Sequence, residues 1–161
     1  MAEYEKNRES SDEWYTPPEI FEQMGVEFDL DPCSPGVGHW VPAKKVYTKV
    51  EDGLSRHWDG FVYMNPPFGG RNSHLVWLDK FLSHGNGVAV VRAYTSSGWF
   101  QEYIPQFDAI NFPYGKTKFV RSDGVVGKSP GHGVAFLAKG AEGVKAVQRL
   151  RGLYFRVSET G

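Results

Sequence analysis

Phe61-Val62-Tyr63-Met64-Asn65-Pro66-Pro67-Phe68 is a short apolar segment that runs straight into a proline turn. Bounded by Asp59-Gly60 before and Asn65-Pro66-Pro67 after, residues 61–64 spell a strand. Upstream, 26–30 is a second strand candidate, ending at Asp31-Pro32-Cys33-Ser34, and 45–48 is a third. Downstream, 87–94 carries Val88-Ala89-Val90-Val91. Such an uninterrupted apolar run is typical of a strand covered on both faces.

Helical patterns separate these strands. Thr16-Pro17-Pro18-Glu19 reads as a helix start, with Thr16 as cap, Pro17 at the first helical position and Gly25 as the stop. A second helix runs from a cap at Asn72 or Ser73 to Leu82, with Leu75, Leu78, Phe81 and Leu82 inward. A third spans 97–104 and is stopped by Pro105. Strands at 108–112, 116–120 and 134–138, a helix at 141–150 and an edge strand at 153–157 complete the pattern. Met1–Glu13 is expected to be a flexible tail ahead of a single domain over 14–157. Alternating strands and helices predict an α/β sheet with helices on both faces. In such sheets ligands sit outside the carboxyl ends of the strands. The two unusual turns, Asp31 to Ser34 and Asn65 to Phe68, both follow strand candidates.

Several function classes are excluded by composition. The formal net charge of -1 argues against coating nucleic acid by bulk charge and leaves only local basic patches. One cysteine, Cys33, permits no internal disulfide and suits a reducing compartment. The charged first segment is not a secretory signal, and no apolar run reaches membrane-spanning length. A cytoplasmic protein is therefore expected. The five histidines form no spaced ligand set with Cys33, so no metal is expected.

Asn65-Pro66-Pro67-Phe68 carries the chemistry. The exocyclic amine of adenine is a poor nucleophile because its lone pair is delocalised into the ring. An Asn carbonyl and a neighbouring main-chain carbonyl can both accept its N–H bonds. This pulls the nitrogen toward tetrahedral geometry and frees the lone pair for attack. The same fixed dipoles stabilise the charge that develops. Pro66 and Pro67, with fixed φ and no N–H, hold a carbonyl inward. Phe68 offers a stacking face, worth roughly 1–3 kcal/mol to a base. A simple strand-ending turn is the alternative reading of the four residues.

Asn65-Pro66-Pro67-Phe68 after a strand resembles motif IV of amino-methyltransferases acting on DNA adenine. Trp14-Tyr15-Thr16-Pro17, Asp31-Pro32-Cys33-Ser34, Asp52-Gly53-Leu54 and Trp58, in that order and spacing, resemble the phage-type DNA N6-adenine methyltransferase (Dam-like) family. The likeness covers about Trp14 to Lys139. It implies a Rossmann-like class I methyltransferase sheet. It also implies S-adenosyl-L-methionine as cofactor and methyl transfer to N6 of a flipped-out adenine in DNA, in a phage or its bacterial host. Methylation of RNA adenine or protein glutamine, or a catalytically silent nucleic-acid-binding relative, are the alternatives. By the resemblance, Trp14, Tyr15, Thr16 and Pro17 hold the methionine end of the cofactor, and Asp31, Pro32, Cys33 and Ser34 form its first loop. Asp52, after the third strand candidate, is either a ribose ligand or a turn acid. The chain departs from the wider pattern in lacking a Phe-x-Gly-x-Gly loop, and in having Phe68 where tyrosine is usual.

For DNA, Lys116, Lys118, Arg121 and Lys128 gather in and before a Gly-rich loop over 122–133 that contains one acid, Asp123. Together with Arg71 they are the expected phosphate contacts. A solvated hairpin is the alternative. His132 reads as a loop histidine, because the amine can lose its proton to water after transfer.

Overall fold

The computed structural model describes residues 14–36, 39–67, 72–115, 117–121 and 133–157, with the backbone alone at Trp14 and Arg121. The expected tail lies outside the described residues.

The chain opens with a two-residue strand, β1 (Trp14–Tyr15), and a helix, α1 (Pro18–Met24). Pro17 rather than Thr16 caps α1, and no side chain bonds its first N–H groups. This corrects the expected cap. A residue before proline is pushed out of the helical region, so Pro18 holds Pro17 extended and the helix starts one residue later. Thr16 is instead buried, with its hydroxyl bonded to that of Tyr63.

Next come β2 (Phe28–Asp31), β3 (Ala43–Val46), a 3-10 turn at Gly53–Ser55, and β4 (Val62–Met64). The third strand therefore lies two residues earlier than expected. α2 (Leu75–His84) precedes β5 (Gly87–Arg92). His74 stands at the N-cap of α2, not Asn72 or Ser73. Asn72 has a positive φ of 63°, and its carbonyl accepts the N–H of Leu75 at 3.1 Å, so it makes the turn before the helix. α3 (Gly98–Tyr103) passes into a 3-10 turn at Ile104–Gln106. Pro105 sits in that turn, having no N–H to continue the α ladder. The chain then forms β6 (Ala109–Pro113), β7 (Val120–Arg121), β8 (Val134–Lys139), α4 (Ala141–Gln148) and β9 (Gly152–Arg156).

Seven strands form one mixed sheet in the order β3-β2-β4-β5-β8-β6-β9, and β1 pairs with β7 in a separate ribbon. β3, β2, β4 and β5 are parallel. β8 runs antiparallel between β5 and β6, and β9 is antiparallel to β6. The carboxyl ends of β2, β3, β4, β5 and β6 therefore share one rim.

The sheet separates two cores. Phe61 and Tyr63 face one way, with Ile20, Phe21 and Met24 of α1 and Val144 and Val147 of α4. Val62 and Met64 face the other way, with Leu78 and Phe81 of α2 and Phe100 of α3. Helices thus cover both faces, as expected. Leu78 and Phe81 are completely buried, each contributing about 1.5–3 kcal/mol. This packing fixes the strand ends from which the site is built. Among the described residues no helix is long and apolar enough to cross a membrane, and no three His, Cys, Asp or Glu side chains are grouped to hold a metal ion.

Candidate functional site

At the rim, the loops after β2, β3 and β4 enclose a cleft of about 580 Å³. Tyr15, Pro32, Cys33, Ser34, Asp52, Asn65, Pro66 and Pro67 all line it. Residues from four sequence blocks are therefore brought together. Thr16, Pro17 and Asp31 are not among its lining residues. Phe68, Arg71, Lys116 and Lys128, with His132, lie outside the described residues.

Asn65 and Pro66 enter the cleft because β4 ends at Met64, whose register partner is the buried Ala89 of β5. Pro66 is buried, and its ring confines Asn65 to extended backbone. Farther along, the hydroxyl of Ser73 lies 3.4 Å from the carbonyl of Pro67, tying the turn to the start of α2.

Asp31 supports the β2 loop from behind. One carboxylate oxygen accepts the N–H of Cys33 at 3.0 Å, and the other lies 2.9 Å from Nε2 of His39. A carboxylate only accepts, so Nε2 carries the proton. Both side chains are buried, and Nδ1 of His39 has no partner among the described residues. The sequence reading missed His39 because nothing in an eight-residue separation marks it as a partner. Burial, reinforced by the charge of Asp31, pushes the Cys33 thiol well above its usual pKa, so Cys33 packs and is not a nucleophile.

The β3 loop is held differently. The carboxylate of Glu51 accepts from the hydroxyl of Thr48 and, at 2.9 Å, from its N–H. These bonds hold Glu51 below the usual carboxylate range. Asp52 stands at φ 58°, and its Oδ1 accepts the N–H of Leu54 at 3.3 Å. Its other oxygen has no partner among the described residues. Trp58, buried, donates its indole N–H to the carbonyl of Gly53 at 2.8 Å. The indole also stacks on Trp77, another lining residue. The spacing between Asp52-Gly53-Leu54 and Trp58 thus has a physical cause. Tyr15, which lines the cleft, is packed edge-on by Trp40, whose indole N–H donates to the carbonyl of Thr16 at 2.8 Å.

At the start of α2, buried His74 meets Trp99 edge-on at 4.3 Å. Burial, and secondarily the charge of Arg92, hold its imidazole below the ordinary pKa. Above about pH 6.5 His74 is neutral in folded and unfolded states alike, and its contribution is intact. As pH falls through the depressed folded value, the unfolded chain binds the proton first and that stability is lost. His74→Gln is therefore expected to flatten the fall of the urea midpoint between about pH 7 and pH 5. Equal pH slopes in the two proteins would assign the acid lability to another group.

Of the expected DNA contacts, Lys118 lies on a second groove, and the backbone of Arg121 pairs with that of Trp14. A family model described as DNA N-6-adenine-methyltransferase (Dam) matches residues 4–138, more than half of the chain. No curated protein and no solved structure matches it.

Proposed function

The chain belongs to the DNA N-6-adenine-methyltransferase family, and from that premise we propose that it transfers a methyl group from S-adenosyl-L-methionine to N6 of an adenine flipped out of DNA. The observation that carries the proposal is the position of Asn65 and Pro66 on the wall of a cleft built from the carboxyl ends of β2, β3 and β4. Ligand sites of open α/β sheets occur at such ends, which also supports a Rossmann-like class I sheet.

The cofactor fits the residues present. A volume of about 580 Å³ falls within the range of small-molecule sites, roughly 300–1,000 Å³. When bound, S-adenosylmethionine supplies an electrophilic methyl group on a positively charged sulfur. Tyr15 offers an aromatic face that favours positive charge. Pro32, Cys33 and Ser34 form one wall, with Asp31 and His39 holding that loop in shape. Asp52 keeps one carboxylate oxygen for a ribose hydroxyl while the other caps the 3-10 turn. Trp14, Thr16 and Pro17 set the entry of the chain into this wall.

Asn65 and the carbonyl of Pro66 accept the two N–H bonds of the adenine amine and orient its lone pair. Pro67 stiffens the turn, and Phe68 stacks on the base. The amine gains the methyl group and loses a proton to water, so no side-chain base is needed. Extrusion of the base is required because N6 lies inside the duplex. Arg71, Lys116, Lys118, Arg121 and Lys128 contact phosphates. A phage origin, with the host cytoplasm as the place of action, accords with the sequence resemblance.

The test is transfer of labelled methyl from the cofactor to mixed-sequence DNA, RNA and protein, followed by mapping of N6-methyladenine. Label is expected in DNA at adenine N6, and the map gives the target sequence. Label confined to RNA or protein would end the DNA assignment.

A further inference from the structure

Beyond the cleft, a second groove of about 460 Å³ opens at the carboxyl end of β6. It shares the β1–β7 ribbon with the cleft. Tyr15 lines the cleft, while its register partner Val120, and Pro17 two residues on, line the groove.

Tyr114, Lys118 and Arg151 give this groove its chemistry. Tyr114 is 71% exposed, an unusual position for a large ring in a well-packed protein. The guanidinium of Arg151 lies 4.0 Å from the centre of that ring. Main-chain bonds pin both residues. The N–H of Tyr114 donates to the carbonyl of Arg151 at 2.9 Å, and the N–H of Arg151 donates to the Gln23 side chain at 2.9 Å. The backbones that carry the two side chains are thus fixed beside each other. Neither the guanidinium of Arg151 nor the ammonium of Lys118 has an acidic partner among the described residues. One acid, Glu19, also lines the groove, leaving its charge positive. A guanidinium stacked on a ring keeps its planar fork of N–H donors for phosphate. An aromatic face beside such cations is what a nucleobase stacks on.

We propose that this groove binds the sugar–phosphate backbone of the DNA strand flanking the methylated adenine, with Lys118 and Arg151 on phosphates and Tyr114 under a neighbouring base. The inference rests on the reading of DNA as substrate. It explains how a chain with a net charge of -1 holds a polyanion, through a local cationic track rather than bulk charge.

The 161-residue chain is titrated with duplex DNA containing the mapped site, over a range of salt concentrations. Each phosphate contact contributes about 0.9 to the slope of log affinity against log salt, so the Lys118→Gln/Arg151→Gln protein is expected to lose about 1.8. Its KM for DNA should rise about 100-fold, since each of the two charge-assisted bonds lost weakens binding by roughly tenfold. The kcat at saturating DNA and the KM for the cofactor should stay unchanged. Tyr114→Ala is expected to lower DNA affinity roughly tenfold with the slope unaltered. Lys145→Gln, at an exposed position of α4, removes one positive charge elsewhere and should change neither quantity. Wild-type methylation of DNA with unaltered affinity and slope in the groove variants would overturn the groove alone. A wild-type protein that neither binds nor methylates DNA would overturn both this inference and the functional reading.

Discussion

Asn65→Ala is expected to bind the cofactor with wild-type affinity and yet to methylate DNA at least about 100-fold more slowly, the loss typical of removing one fixed dipole from a developing charge. The wall that would hold the cofactor is formed mostly by Pro32 to Gly36 and by Thr48 to Gly53. Asn65 is one lining residue among many. Truncation there leaves the other walls in place, because β4 is fixed by its pairing with β5 and by two cores. What the proposed function would lose is the acceptor that orients the amine.

The free-energy form of this result is informative. An acceptor used mainly in the transition state lowers kcat with little change in KM. Loss of ground-state binding alone would raise the KM for DNA at constant kcat. Asn65→Asp tests the same point from the other side, because it keeps an acceptor and adds a charge. Partial activity is expected for Asp and essentially none for Ala. Single-turnover methylation with enzyme in excess isolates the transfer step from DNA release. If Asn65→Ala retained wild-type single-turnover rates, Asn65 would be a strand-ending turn residue only, and the catalytic assignment would be lost.

Legibility in the sequence followed how local each cause is. Val88 to Val91 reads as a covered strand because every residue there is apolar, and the structure buries all four. The turns after β2 and β4 are marked by proline, whose constraint acts on its own neighbours. β3 was misplaced by two residues because it lies at the sheet edge, with Lys44 and Lys45 exposed. Charged edge strands carry no apolar alternation to mark their ends. β1 has two residues, too few for any period. The partners that hold the site are hidden for another reason. His39 reaches Asp31 through a loop, and Arg151 reaches Tyr114 across 37 residues of chain. Neither separation leaves a repeating pattern. The Asp52, Gly53 and Trp58 block lies between these extremes. Its spacing is visible in the chain, while its cause, an indole N–H closing on a carbonyl, is visible only after folding.

That block leads to the second large effect, expected for Gly53→Ala. A Cβ at this position would lie 2.2 Å from the carbonyl oxygen of Pro32 and 3.1 Å from its carbonyl carbon. Gly53 does not have a positive φ, so alanine is refused by space and not by conformation. Neither side can yield cheaply. Pro32 sits between Asp31 and Cys33, which the Asp31 carboxylate ties together with His39. Gly53 is held by Trp58, which is packed in the core. The added methyl group must therefore push the β2 and β3 loops apart, and both loops line the cleft. Overpacking of this kind costs about 1–3 kcal/mol. For a domain of this size, each kcal/mol shifts Tm by roughly 2–4 °C. Cofactor affinity should suffer more than stability, because displaced walls lose many contacts at once while the sheet beneath stays paired. Calorimetric titration with the cofactor, beside a thermal melt, separates the two. A lower Tm with unchanged cofactor affinity would mean that Gly53 serves packing alone and that the cofactor is held elsewhere. Loss of affinity beyond about tenfold, at a temperature where the variant is fully folded, would place the cofactor between these two loops by a measurement independent of Asn65.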